Sequence, residues 1–241
     1  MKLIWTYSSK LNRSKKIDNH QMLSLFKHSI ECGKQFHSTC VYTDVESKSF
    51  FEDIVDEVKV LPDNFDYYFM DDIKFYVIVN ETNPFTLIDG DLFLKEALPI
   101  VTTKVGMEVY VNYIENNDYL HYNKILEKNN VYDIIPYWKP LNGYYNLGLI
   151  SIFESNLFDE FYIDYNRLKE FYKTKIENIH LDRFDERVEI SLCTYFFTLY
   201  CNYKNIDIDT YDTKLKYEHL AGPYENHKLL YIFKDVEKSL I

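Results

Sequence analysis

Phe85-Thr86-Leu87-Ile88-Asp89-Gly90-Asp91-Leu92-Phe93-Leu94 is the stretch that decides how the chain is read. Four uncharged, mainly apolar residues run straight into two carboxylates separated by a glycine, and apolar residues resume at once. A run with no wet face reads as a central strand covered on both sides, as in α/β proteins. In an open α/β sheet, ligands gather beyond the carboxyl ends of the strands. Two aspartates on a tight turn there offer oxygen donors to a hard divalent cation, and Gly90 is expected to keep space clear for the close approach of a phosphate oxygen or sugar. The competing reading is a solvated Asp-Gly-Asp turn between two hairpin strands, where Asp-Gly is common.

The flanking segments alternate strand and helix. Lys2 to Tyr7 reads as the first strand, and Asp18 with Gln21 as a capping box before Met22, Phe26 and Ile30. Ser38 to Tyr42 reads as a second strand. Phe50, Phe51, Ile54, Val55 and Val58 mark an amphipathic helix, Val58 to Leu61 a short strand, and Tyr67 to Asn80 a further helix. Apolar alternation from Val105 to Tyr113 predicts a strand with one packed face. Beyond it come a polar helix near Tyr119 to Lys128, a strand from Tyr144 to Phe153, and two helices. The first of these carries Phe161, Tyr165, Leu168 and Tyr172 on one stripe, and the second covers Glu186 to Tyr200. The fold class expected is α/β, a mixed, mostly parallel central sheet flanked by helices. With 241 residues and no repeat or linker, one domain over 1–241 is expected.

Acidic residues outnumber basic ones 38 to 27, for a formal charge of −11. That argues against a nucleic-acid partner, whose phosphate backbone is gripped by clustered Lys and Arg. With 46% hydrophobic residues, disorder is also a poor fit. The opening residues are too poor in apolar content for a signal peptide, and no stretch approaches the ~18 apolar residues of a transmembrane segment. A cytoplasmic protein is expected. Cys32, Cys40, Cys193 and Cys201 are spaced too widely for short zinc knuckles and read as free thiols.

In order and spacing, several segments over about residues 1 to 225 resemble the GT-A-type nucleotide-sugar glycosyltransferases, in the manner of the glycogenin and lipopolysaccharide-galactosyltransferase-like enzymes. The segments are Leu3-Ile4-Trp5-Thr6-Tyr7-Ser8, Tyr42-Thr43-Asp44, Lys74, Ile88-Asp89-Gly90-Asp91, Tyr145-Asn146-Leu147-Gly148 and His219-x-x-Gly222. The D-x-D and H-x-x-G pairs are the specific ones. The resemblance implies a GT-A-like domain with a nucleotide-binding half over 1–115 and a helical acceptor half over 116–241. It implies Mn²⁺ or Mg²⁺ held by Asp89, Asp91 and His219, and a mixed carboxylate and imidazole set suits manganese better than calcium. It places Thr6 and Tyr7 by the base of a nucleotide-sugar donor, UDP-linked in the first instance. Asp44, Lys74 and Lys228 join the donor side, and Asn146 and Gly148 line the sugar or acceptor. Two positions depart from the pattern. Glu225 stands where the family often has Lys, so that Lys228 is the nearest basic residue, and Lys74 stands where arginine is more frequent.

The activity so implied moves a sugar from a nucleoside diphosphate to the hydroxyl of a glycan or other acceptor. An inverting course needs a carboxylate base, and Glu186 or Glu189 is the candidate; a retaining course does not need one there. Two alternatives stand beside it. One is a catalytically silent protein that binds a sugar nucleotide or a partner. The other is different metal-dependent phosphate chemistry, a nucleotidyltransferase or diphosphate hydrolase, for which a Gly-rich phosphate loop is missing.

Overall fold

Phe85-Thr86-Leu87-Ile88 forms a strand buried at all four positions, as an apolar run without a wet face requires. It belongs to a computed structural model that describes residues 1–11, 19–69, 71–81, 84–99, 103–108, 110–112, 124–176, 186–211 and 215–219. In chain order, the first half contains β1 (Lys2–Tyr7), α1 (Asn19–Lys34), β2 (Ser38–Thr43), α2 (Lys48–Phe51), β3 (Glu57–Val60), α3 (Asp72–Asn80), β4 (Phe85–Ile88) and β5 (Leu92–Leu94). There follow β6 (Val105–Met107), β7 (Tyr110–Asn112), β8 (Gly143–Tyr145), β9 (Leu149–Ile152), α4 (Phe161–Phe171), α5 (Glu186–Tyr203), β10 (Ile208–Thr210) and β11 (Tyr217–His219).

Seven strands form one mixed sheet in the order β10-β6-β9-β4-β1-β2-β3, while β5 pairs with β11 and β7 with β8. The pairs β1–β2, β2–β3 and β6–β10 are parallel and β6–β9 is antiparallel. This is the α/β class expected. The chain divides into two compact units interleaved in sequence. One comprises Met1–Phe65, Thr86–Pro99 and Leu215–Ile241, the other Asp66–Phe85 and Ile100–Lys214.

In the first unit, α1 crosses between the parallel strands β1 and β2. Gly33, which lies inside α1 rather than in a turn, lets the helix settle on β1. A Cβ at that position would stand 2.8 Å from both Leu3 Cδ1 and Trp5 Cη2. The helix expected across Phe50 to Val58 stops after one turn, at Phe51. The N–H groups of Ile54 and Val55 both turn back to the Phe51 carbonyl. Asp56 then accepts the Thr39 N–H at 2.8 Å and its hydroxyl at 2.9 Å, which fastens the start of β2 to the approach to β3.

In the second unit, α3 starts at Asp72 and not at Tyr67. The Asp72 carboxylate, fully buried, accepts the N–H groups of Tyr68 and Phe69 at 2.8 and 2.7 Å, holding both residues in a turn ahead of the helix. Its other oxygen accepts the Tyr165 hydroxyl at 2.7 Å and the Lys169 ammonium at 3.2 Å, both from α4. The two long strands expected at 105–113 and 144–153 are each broken in the middle. β6 pairs with β9, whereas β7 pairs with β8. At the second break, Asn146 Oδ1 accepts the Gly148 N–H at 2.9 Å and turns the chain. The polar helix expected near Tyr119 to Lys128 is seen over 124–128, its start lying outside the described residues.

Most of the buried aromatic rings among the described residues lie in this unit. Tyr165, Tyr172, Tyr195, Tyr200 and Tyr211 are all at most 1% exposed. The Phe75 ring meets Phe161 and Tyr165 edge-on at centroid distances of 4.8 and 4.6 Å, a favoured arrangement. All four cysteines are free. Among the described residues, no helix is long and apolar enough to cross a membrane.

Removing the Asp72 carboxylate takes the shared acceptor from a buried phenol and two backbone donors and leaves the buried Lys169 ammonium with Asp66 alone, at 3.1 Å. Asp72→Ala is expected to lower stability by ~3–5 kcal/mol, read as a fall in the urea midpoint. Adding Lys169→Met removes the buried ammonium that has lost one of its two carboxylates and is expected to recover part of the loss.

Candidate metal centre

β4 ends at Ile88, and Asp89-Gly90-Asp91-Leu92 makes the turn into β5, closed by the Leu92 N–H on the Asp89 carbonyl at 3.1 Å. β5 pairs antiparallel with β11, with His219 opposite Leu92. The turn supplies two carboxylates, and the strand pair brings an imidazole from the far end of the chain to meet them. His219 Nε2 lies 3.4 Å from Asp91 Oδ1 and 4.0 Å from Asp89 Oδ2. One ligand atom from each of the three residues lies within 4.8 Å of the others. Side-chain exposure is 28% for Asp89, 14% for Asp91 and 8% for His219, so the cluster opens to solvent on the Asp89 side. At metal–ligand distances of about 2.1 Å, neighbouring ligands stand roughly 3 Å apart. Small side-chain torsions bring these three donors onto one ion. Two carboxylate oxygens and one imidazole nitrogen form a donor set suited to a divalent cation.

The turn is held from below by α1. Ser29, fully buried, accepts the Trp5 indole N–H at 2.9 Å. Its own hydroxyl lies 2.5 Å from the Leu92 carbonyl and 3.3 Å from that of Asp89, so it gathers both ends of the turn. Phe26, one helical turn earlier, lies flat against Gly90. A Cβ on residue 90 would stand 2.3 Å from the Phe26 ring, so the close approach expected of this glycine is to the protein's own core. Phe26 in turn packs edge-on against Tyr7 at 5.1 Å and Phe51 at 6.4 Å. Neither Ser29 nor Phe26 was singled out as a site residue from sequence. The available signal was a lone serine on the apolar stripe of a helix, beside Phe26 and Ile30.

The other expected residues of the first unit line the carboxyl ends of β1 and β2. Asp44 is 1% exposed and accepts Ser8 Oγ and the Ser9 N–H, each at 2.7 Å, and the Ser47 N–H at 2.8 Å. Burial alone would raise its pKa, but the hydrogen bonds from Ser8, Ser47 and Ser9 outweigh it and hold the carboxyl below its ordinary value. Tyr7 is buried, and burial together with the Asp44 charge pushes its phenol up. Thr6 is half-buried on β1.

Lys74, Asn146 and Gly148 belong to the second unit, and there the structure brings them together. The Lys74 ammonium donates to the Leu147 carbonyl at 3.1 Å and pairs with Asp71 at 3.1 Å. Glu186 and Glu189 lie in the first turn of α5. Lys228, Gly222 and Glu225 lie outside the described residues.

No family model matches the chain, and no curated protein matches it. Among solved structures, it is similar to mouse xyloside xylosyltransferase 1 in its apo form, with a TM-score of 0.43 and 11% identity, covering 87% of this chain and 85% of that one. It is also similar to the glycosyltransferase GlyE of Streptococcus pneumoniae TIGR4, with a TM-score of 0.43 and 9% identity over 87% of this chain. The match spans 44% of GlyE, under half its length.

Ser29→Ala unpairs the Trp5 indole and frees the turn. It is expected to cost about 1–3 kcal/mol of stability and to weaken divalent-cation binding at the turn about 10- to 100-fold by titration. Trp5→Phe keeps the Ser29 contact with the turn and is expected to lose stability but little of that cation affinity. Asp44 sets an acid limit of its own. Because its folded value is lowered, its stabilisation is complete above the ordinary value of 3.8 and is lost as pH falls below that and through the lower folded value. Asp44→Asn is expected to be less stable at neutral pH, with a shallower loss as pH falls below about 4 in denaturation scans.

Proposed function

We propose that this protein is a metal-dependent glycosyltransferase that moves a sugar from a nucleoside diphosphate, UDP in the first instance, to an acceptor hydroxyl. The convergence of Asp89, Asp91 and His219 carries the reading. Residues far apart in sequence meet at the carboxyl end of a fully buried strand, where α/β sheets bind ligands. The glycosyltransferase resemblance of those same residues gives the cluster its chemistry.

In this reading, Asp89 and Asp91 present negative oxygens to the cation, and His219 presents a neutral nitrogen from the opposite strand. Held by these three residues, a divalent ion would supply positive charge against that building on the departing diphosphate. Asp91 is the closer of the two carboxylates to His219 and the more buried, and it is proposed as the principal ligand. The more exposed Asp89 faces the side from which a diphosphate arrives. Thr6 and Tyr7 are the proposed neighbours of the base. Asp44, with its oxygens taken up by Ser8, Ser9 and Ser47, serves by fixing the loop after β1 in place. An inverting course further asks for a carboxylate base, the role expected of Glu186 or Glu189.

Calorimetric titration of UDP with and without Mn²⁺, on the wild type and on Asp91→Ala, tests this. The expected result is Mn²⁺-dependent UDP binding that Asp91→Ala loses, followed by slow hydrolysis of a UDP-sugar by the wild type alone. Metal-independent UDP binding, unchanged in Asp91→Ala, removes the metal from the mechanism. Failure to bind any nucleoside diphosphate moves the assignment to a silent interaction protein.

A further inference from the structure

The second unit has an open groove of about 540 Å³ that the proposed chemistry leaves unused. Tyr137, Glu160, Ile163, Asp164, Arg167 and Tyr203 line it. Its floor is a pair of stacked rings, Tyr137 on Tyr203, with centroids 4.1 Å apart and planes within 5° of parallel. The Tyr137 hydroxyl donates to Asp164 Oδ2 at 2.8 Å, and Asp164 Oδ1 accepts from Arg167 Nη1 at 3.1 Å. The inner ring is thus pinned by its hydroxyl, and the outer ring, Tyr203, lies on it with half of its surface exposed.

The charges around the groove cancel in pairs. Asp164 is matched by Arg167, and Glu160 by Lys204, whose ammonium also lies 5.3 Å from the Tyr203 ring centroid. Neither an anion nor a cation is favoured there. What is left for a ligand is an aromatic surface, the exposed Ile163, and polar groups with capacity to spare. The Arg167 side chain is 63% exposed and bonds Asp164 through Nη1. The Tyr203 hydroxyl has no hydrogen-bond partner among the described residues. A neutral ring with an apolar C–H face and hydroxyls around its rim matches that set. The C–H face covers a tyrosine, and the rim hydroxyls meet guanidinium and phenol. Two stacked tyrosines, one of them hydrogen-bonded, also lose little conformational freedom on binding.

We propose that this groove binds a pyranose unit of a neutral oligosaccharide, independently of the candidate metal centre. The test is saturation-transfer NMR of the full chain with maltohexaose, cellohexaose and N-acetylchitohexaose, followed by titration with the best of the three. Transfer to ring C–H protons is expected for at least one of them. Tyr203→Ala is expected to weaken its binding about 3- to 10-fold, and Tyr203→Trp to retain it. Tyr203 is half exposed, so both variants are expected to fold, which unchanged circular dichroism and Mn²⁺ titration check. No transfer from any of the three sugars overturns the proposal, as does binding that Tyr203→Ala leaves unchanged.

Discussion

Three partners meet at the hydroxyl of Ser29: the Trp5 indole from β1, and the Leu92 and Asp89 carbonyls from the two ends of the acidic turn. Phe26, Ser29 and Gly33 stand at i, i+3 and i+7, one face of α1. Gly33 admits the β1 tryptophan, and Phe26 lies where a side chain on residue 90 would have to be. The helix is therefore fitted at three heights, against the strand at one end and the turn at the other. Neither contact leaves room for a Cβ. The position of the two aspartates is thus a consequence of how α1 packs on β1.

The carboxylates of the first unit divide by what they meet. Asp44 and Asp56 accept backbone N–H groups and serine or threonine hydroxyls and tie neighbouring strands together. Asp89 and Asp91 face one another across an imidazole. In a chain of net charge −11, placing two carboxylates at one turn is electrostatically unfavourable unless a cation or proton is held there. Here the turn sets them beside the His219 imidazole supplied by β11.

Elements whose signal is periodic and local were legible in the sequence. β1, β2 and β4 are read from apolar runs, and the turn after β4 from its composition. Boundaries set by a side chain that bonds a distant backbone were not. Asp72 holds Tyr68 and Phe69 out of α3, Asp56 reaches Thr39, and Asn146 ends β8 by taking the Gly148 N–H. Each is a polar residue of a kind that also occurs on helices and turns without consequence. The site was legible in the same measure. Asp89 and Asp91 stand out beside their apolar strand, whereas a lone histidine becomes meaningful only through its family resemblance. Its placement rests on a three-residue pairing of β11 with β5, too short for propensity to predict. Ser29 and Phe26 carry no motif and are found only once α1 is packed on the turn.

The tyrosine content shows why composition alone could not locate a ligand surface. Tyr165, Tyr195 and Tyr211 are buried, and their hydroxyls are spent on Asp72, the Lys139 carbonyl and Ser151. These residues act as large apolar groups with one internal tether, which suits a core that must be both dense and hydrogen-bonded. A tyrosine serves recognition only where one part of the ring is fixed by the protein and another is left to solvent. Tyr203 meets that condition because Tyr137 supports it, and Tyr137 is held because Asp164 binds its hydroxyl. The surface that offers an aromatic face is therefore built by the same kind of side-chain bond that orders the core.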